Sequence, residues 1–383
     1  MTVGLSDEQA ELAQAVRHFA EGALAEGALE RAHSGDYPWE TAARLSEMGM
    51  LGITIPESDG GVGGTLMQAV ITIQELAMVC PKSADIVQAG NFGPIRTFAE
   101  FATPAQKERW LPDLLAGKKL ISLGMSEPDA GSAVTELKTS ARPDGDDYIV
   151  NGSKVFSTHS PHADLFLIYL RFGPGTKGIG SVLVERGTPG FIVGKPAPFM
   201  SGEEWCPLYF EDCRVPAENV LLGPGGFKKQ ISGFNVERIG NASRSLALGR
   251  HAYAVARRHV MERTQFGRPL CEFQGLQWKF SEMIVKLEAA QMLLYRAASN
   301  VDENGLPPAF ETAIAKLACN ETGFDVANAA MQAMGGYGYS TETLVEYCVK
   351  RTRGWQIAGG SLEMLKNRIA EHVFERRFDQ RPA

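Results

Sequence analysis

The sequence is short of several things, and each shortage removes a class of function. Its six cysteines (Cys80, Cys206, Cys213, Cys271, Cys319 and Cys348) form no CxxC pair. They read as reduced, buried thiols and not as a disulfide framework or a zinc site. No apolar run reaches the length of a membrane span. The opening MTVGLSDEQAEL carries acidic residues and lacks the apolar stretch of a secretory leader. Positive charge is not in excess, because 38 Lys and Arg stand against 45 Asp and Glu for a net charge of −7. Electrostatic capture of nucleic acid or of an anionic membrane is therefore not expected. Neither GxSxG nor HExxH occurs. The expectation is a cytoplasmic protein working away from membranes and nucleic acid.

Two short patterns invite over-reading. GPGTKG, from Gly173 to Gly178, matches GxGxxG, but the IGSVLVE that follows reads as a strand. A dinucleotide fingerprint must instead open a helix, whose N-terminus faces the pyrophosphate, so a hairpin loop is expected. His159 and His162 have HxxH spacing without a third ligand nearby; loop histidines are expected there, and no metal site.

What is present is an ordinary globular balance, 44% apolar and 22% charged over 383 residues, enough for two or three domains. The periodicity changes twice. From 1 to about 120 it is helical, with Ser6-Asp7-Glu8-Gln9 and Thr103-Pro104-Ala105-Gln106 in the form of helix starts. From 121 to 222 it is β, with DYIVNGSKVF, ADLFLIYLRF, IGSVLVERG, GFIVG and CPLYFED as strands. Asn151-Gly152 sits between two apolar runs, which predicts a hairpin turn. Antiparallel strands without intervening helices predict a small barrel or sandwich. From 223 to 383 the pattern is helical again, with three long amphipathic helices and a shorter one, which predicts a bundle. The expected fold class is mainly α with a central β-domain.

Glycine is concentrated where backbone could approach a ligand. SLGMSEPDAGSAV combines Ser126 and Ser132 with Gly124 and Gly131, a loop of hydroxyls and exposed amides suited to phosphate or flavin-edge bonds. Near the C-terminus, WQIAGGSLEM pairs Gly359 with Gly360 just before a helix start.

In order and spacing, LSDEQAELAQAVRHFA, LGITIPESDGGVGG, MSEPDAGSAV, NGSKVFST, YFEDCRVPAENVLLG, ERTQFGRPLCEFQ and MQAMGGYGYSTE resemble the acyl-CoA dehydrogenase family of flavoproteins over nearly the whole chain. The resemblance implies FAD, with Met125 and Ser126 at the flavin ring and Ser132 in the same loop. It implies that Phe156, in place of the usual Trp, covers one face of the ring and that Thr158 bonds near N5. Arg263, Phe266, Gln274, Gln332 and Gly336 would reach the FAD of a neighbouring subunit, so a homodimer or homotetramer is implied. Ser361 stands where the family has Thr beside the diphosphate.

The family removes an α-proton from an acyl thioester while hydride passes to the flavin. In many members the base precedes the Gly-Thr or Gly-Ser pair, at the position of Gly359. That glycine has no side chain to act as base, but its N–H can still polarise the thioester carbonyl. A second branch, which includes isovaleryl-CoA dehydrogenase, carries its base on the helix after the β-domain, and Glu237 of GFNVERIGNASR matches that position. Phe234 and Asn241 share its helix face. The neighbouring Asn235 and Arg238 fall at CoA-contacting positions. Asp85 and Gln88, three apart on one face of KSADIVQAGNFG and continued by Asn91, suggest a pocket for a small or polar acyl group.

The expected activity is α,β-dehydrogenation of a small, branched or polar acyl-CoA, with electrons leaving to an electron-transfer flavoprotein. An enoyl-CoA reductase of the crotonobetainyl-CoA type, a dehydrogenase of acyl-carrier-protein thioesters and a catalytically silent partner subunit stay open as alternatives.

Overall fold

Helix-start chemistry organises the first third of the chain. In the computed structural model, which describes residues 4–378, the first helices are α1 (Asp7–Ala23), α2 (Ala28–His33), α3 (Trp39–Glu47), α4 (Leu66–Ala77), α5 (Pro81–Asn91), α6 (Pro94–Phe101) and α7 (Pro104–Leu115). Ser6 with Gln9 and Thr103 with Gln106 both close reciprocal capping boxes. A third box, Thr65 with Gln68, starts α4. Each box satisfies two N–H groups that a helix start otherwise leaves unpaired.

The strands follow as β1 (Ile121–Gly124), β2 (Ser140–Asp144), β3 (Asp147–Thr158), β4 (Leu165–Arg171), β5 (Ile179–Glu185), β6 (Phe191–Val193), β7 (Ala197–Pro198), β8 (Glu204–Pro216) and β9 (Val220–Leu222). They form one nine-stranded sheet in the order β6-β8-β3-β2-β4-β5-β9, with β1 on β4 and β7 on β8. Most pairs are antiparallel, but β1 runs parallel to β4, so the sheet is mixed and not purely antiparallel. GPGTKG joins the antiparallel strands β4 and β5, a hairpin connection as its sequence suggests.

Asn151-Gly152 is not a turn. β3 runs unbroken through it, and the register against β8 slips between Val150 and Gly152, which makes a bulge. Asn151 bonds Asp212 through both ends of its amide, accepting from the Asp212 N–H at 2.9 Å and donating to Oδ1 at 3.0 Å. The turn between β2 and β3 lies at Gly145, whose φ is +64°. Asp144 pairs with Asp147, so the two loop residues are Gly145 and Asp146, with glycine first. At Gly152 close packing is the constraint, because a Cβ there would lie 2.5 Å from Thr139 Oγ1.

The remainder is α8 (Phe227–Glu262), the small hairpin β10 (Thr264–Gln265) and β11 (Arg268–Pro269), α9 (Gln274–Ser299), α10 (Ala309–Met334), α11 (Gly336–Tyr339), α12 (Val345–Trp355) and α13 (Leu362–Val373). The chain divides into two compact units. One comprises Gly35–Gly64 and Ala89–Phe234; the other comprises Met1–Ser34, Thr65–Gln88 and Asn235–Ala383. The first unit has a continuous core that includes Ile55, Phe98, Trp110, Leu167, Tyr169 and Leu183. Burying each such side chain contributes roughly 1.5–3 kcal/mol.

In the second unit α8 and α10 approach closely because both carry glycine at the crossing. A Cβ on Gly323 would lie 2.3 Å from the Ser245 carbonyl oxygen, and one on Gly249 would lie 2.9 Å from the Gly323 Cα. This crossing fixes the two helices that carry the site described below. Gly323→Ala raises helix propensity by about 1 kcal/mol, yet net destabilisation of roughly 1–3 kcal/mol is expected because the helices must separate. A thermal melt checks this; an unchanged or higher midpoint would show that the crossing has slack.

Candidate active site

The site grows from one face of α8. Glu237, Asn241, Ser245 and Gly249 recur at four-residue intervals and so share that face. Asn241 Nδ2 donates to Glu237 Oε1 at 2.8 Å, and Gln88 Nε2 from α5 donates to the same oxygen at 3.1 Å. Protein surrounds Glu237 on most sides, although part of the residue is still accessible. Burial pushes its carboxyl up to about 7, against the Gln88 bond, the positive fields of Arg244 and Lys316 and the Asn241 bond. A carboxyl that is half ionised near neutrality is suited to accept a proton.

Opposite this face lies the turn between α12 and α13. Gly359 and Gly360 have φ of +69° and +93°, a region where a side chain is strained. A Cβ on Gly359 would lie 3.3 Å from Asn241 Nδ2 and 3.6 Å from Lys316 Cε. A side chain at 359 would therefore start beside the residue that holds Glu237. Lys316 of α10 is fully buried, and its ammonium donates to the carbonyls of Ala358 at 2.8 Å and Gly360 at 2.9 Å. Burial pulls it down to about 7, helped by the Arg238 charge and opposed by Glu237. Arg238 Nε donates to the Gly359 carbonyl at 3.3 Å, and its Nη1 donates to Asn235 Oδ1 at 3.2 Å. The expected CoA contacts Asn235 and Arg238 thus sit together beside Gly359.

Gln88 and Asp85 part company. Gln88 reaches Glu237, but Asp85 is only 2% exposed and lies behind it in an ion cluster. Its Oδ1 pairs with Arg244, and its Oδ2 pairs with Arg351 at 3.1 Å and accepts from Tyr347 Oη at 3.4 Å. The expectation of Asp85 as a substrate contact gives way to a scaffold position, because both oxygens are engaged away from any surface. Arg244 in turn donates to Gln88 Oε1 at 3.0 Å, which turns the Gln88 NH2 toward Glu237. Asn91 turns elsewhere and donates to the Met50 carbonyl at 2.8 Å. Reading the sequence did not single out Lys316, Arg244 or Trp355. Lys316 is the one charge in TAIAKLACN, a pattern that does not by itself tell a buried lysine from a solvated one.

In the other unit the expected flavin residues come together. Val155 N–H donates to the Ser126 carbonyl at 2.9 Å, and Ser122 Oγ donates to the Thr158 carbonyl at 2.7 Å. Met125 and Ser126 therefore lie against the end of β3 that carries Phe156 and Thr158. The β3–β8 register slips again between Lys154 and Ser157. Phe156 takes φ of +59° and is 59% exposed, with Trp205 at 4.6 Å between ring centroids. A phenylalanine held left-handed and turned outward by a bulge is a strained feature of the kind found at ligand sites. An exposed aromatic ring beside the free hydroxyl-bearing end of a strand fits a planar flavin. Ser132 is exposed in the loop after β1.

Of the remaining expected cofactor residues, Arg263, Phe266, Gln274, Gln332 and Gly336 are all exposed. Phe266, on the β10–β11 turn, also has positive φ, +51°, and is 93% exposed. His259, one helical turn before Arg263, packs on Tyr337, next to Gly336, at 5.7 Å. Ser361 caps α13, its hydroxyl accepting from the Met364 N–H at 3.4 Å.

Three family profiles match in succession: Acyl-CoA dehydrogenase, N-terminal domain, at residues 6–118; middle domain at 122–213; and C-terminal domain at 224–374. The chain is 35% identical over 379 residues to a short-chain specific acyl-CoA dehydrogenase of Clostridium acetobutylicum, covering 98% of this chain and 100% of that one. It is 35% identical over 383 residues to an acryloyl-CoA reductase (NADH) of Anaerotignum propionicum, covering 98% and 97%. Among solved structures, butyryl-CoA dehydrogenase from Megasphaera elsdenii superposes with a TM-score of 0.89 at 33% identity, covering 98% of this chain and 100% of that one.

Proposed function

The chain belongs to the acyl-CoA dehydrogenase family, and on that premise we propose that Glu237 is the base that removes the α-proton of a small acyl-CoA thioester. FAD is the family's prosthetic group and, when bound, supplies the acceptor for the β-hydride. The observation that carries the reading is convergence. The side-chain direction at Gly359 points to Asn241 and Lys316, and Asn241 already holds Glu237. A carboxylate mounted at either position would serve the same small volume.

The residues have separable tasks. Glu237 takes up the proton at its carboxylate. Gln88 and Asn241 hold one of its oxygens, leaving the other for the substrate. The Gly359 N–H polarises the thioester carbonyl and so stabilises the enolate charge that develops as the proton leaves. Asn235 and Arg238 bind the pantetheine side. Phe156 would cover one flavin face, and Thr158 and Ser126 would bond its edge. The exposed Arg263, Phe266, Gln274, Gln332 and Gly336 serve the FAD of a second subunit in a homodimer or homotetramer. Electrons leave to an electron-transfer flavoprotein. A small acyl group is favoured by the short-chain relatives.

A second reading runs the same site backwards, as an enoyl-CoA reductase, and the acryloyl-CoA reductase relative favours it. Anaerobic mixing of the yellow protein with saturated acyl-CoA and acyl-carrier-protein thioesters tests the first reading through bleaching of the flavin. Reoxidation of reduced protein by enoyl-CoA, without any bleaching, would select the second. Neither response would remove both.

The Gln88 bond favours the ionised form of Glu237. In Gln88→Leu the bond is lost and the carboxyl rises further. The limb along which flavin reduction increases with pH should therefore move to higher pH. A pH–rate profile that does not move, or that moves down, would separate Gln88 from the base.

A further inference from the structure

The geometry points to Lys316 as a positioning residue for the oxyanion donor: its ammonium, bonded to the carbonyls on both sides of Gly359, aims and polarises the Gly359 N–H. The inference rests on the reading of Gly359 as the group that binds the thioester carbonyl.

An ammonium without solvent is costly to bury unless its donors are all matched. Lys316 has three, and three carbonyls face it: Ala358 at 2.8 Å, Gly360 at 2.9 Å and Trp355 at 3.4 Å. Trp355 ends α12, so the cation also lies at the negative end of that helix. This arrangement does more than satisfy a lysine. The Ala358 carbonyl and the Gly359 N–H belong to one planar trans peptide and point in opposite directions. Gripping the oxygen fixes the plane and turns the N–H to the far side. Withdrawing charge from that oxygen also makes the N–H a stronger donor, as in any chain of polarised bonds.

The next two peptides are held the same way. Arg238 takes the Gly359 carbonyl and Lys316 the Gly360 carbonyl, so three successive carbonyls are each held by a cation. The Gly359 N–H itself makes no hydrogen bond among the described residues. The charged groups around the ammonium are Glu237 and Arg238 of α8. Glu237 is the single acid among them, so the cation that aims the oxyanion donor is also a neighbour of the base.

The test uses the FAD-loaded full-length protein and (methylthio)acetyl-CoA labelled with carbon-13 at the thioester carbonyl. Sulfur in this probe replaces the carbon that would lose hydride, so hydride transfer to the flavin cannot follow binding, and any loss of the α-proton only lowers the carbonyl stretch further. Isotope-edited infrared difference spectra read the carbonyl stretch. In the unmodified protein the stretch should fall on binding. In Lys316→Met the fall should shrink to half or less, and flavin reduction by the fastest acyl-CoA of the panel should slow by about 30-fold at saturating substrate. Lys316→Gln keeps a donor without the charge and should recover part of the shift; it also carries the test if the Met variant does not fold. A full shift in the folded variants would reduce Lys316 to scaffold. No shift in the unmodified protein would instead sink the Gly359 reading, whatever Lys316 does.

Discussion

Glu237→Gln should give a folded, yellow protein whose flavin is not bleached by any acyl thioester. The amide has nearly the same shape as the carboxyl, and its oxygen can still accept from Gln88 and Asn241. Folding and FAD content are therefore expected to survive. What is lost is basicity. Loss of a positioned base costs about 10³-fold in rate, and the variant should show at least that loss in single-turnover flavin reduction.

The pH dependence has a definite sign. Only the ionised carboxylate accepts a proton, so in the unmodified protein the rate should climb with pH along a limb set by Glu237, which burial has pushed to about 7, and fall again where Lys316 loses its proton. Gln has no such limb. Stability should move the other way. A carboxyl raised from its ordinary 4.5 to about 7 is fully compatible with folding while protonated, below the unfolded value. Its stability contribution is lost as pH rises through the folded value. The amide carries no such penalty, so the variant should melt higher than the parent above pH 7, with the gap closing toward about pH 4. An inert variant that is more stable at high pH is the signature of a strained catalytic group. Bleaching at full speed would place the base elsewhere.

How far the sequence led toward this site follows from what each residue contacts. The contact of Glu237 with Asn241 was legible because the two lie four residues apart on the same helix, a relation that helix geometry supplies. The change from helix to strand and back was legible because apolar spacing carries it, and the buried strands β4 and β5 read as near-continuous apolar runs. Lys316 was not legible. A lone helical lysine is usually solvated, and its acceptors are carbonyls some forty residues further along a turn. Asp85 and Gln88 were correctly placed near one another, but their spacing says nothing about what covers that face. The cover comes from arginines on α8 and α12, and it separates the two residues into different roles. Asn151-Gly152 failed for a related reason: turn chemistry is local, and the cross-strand pairing that keeps it inside β3, opposite a bulge in β8, is not.

Asp85→Ala should be the most destabilising single change in the helical unit. Asp85 is the anion between two buried guanidiniums, Arg244 and Arg351. Both also stack on the Trp355 ring, with their guanidinium carbons 4.5 and 5.5 Å from its centroid. Removing the carboxylate takes away the acid that both buried guanidiniums face. Breaking such a buried pair costs about 3–5 kcal/mol, which lowers the thermal midpoint by on the order of 10 °C in a unit of this size.

The same physics predicts a rescue. A buried ion set replaced by apolar side chains is often nearly neutral, so Asp85→Ala combined with Arg351→Leu should recover part of the loss, because the second change removes one of the two like charges left on either side of the vacated position. If both variants melt with the parent, the cluster is wetter than its burial implies. Activity supplies a second reading of the same cluster. Arg244 orients Gln88, and Gln88 bonds Glu237. Trp355, lying against both arginines, offers its carbonyl to Lys316 and to Asn320. Loss of Asp85 therefore loosens the supports of Glu237 and of the Gly359 turn together. The double variant should regain stability more completely than it regains flavin reduction, since Leu restores packing but does not restore the fixed position of Arg244.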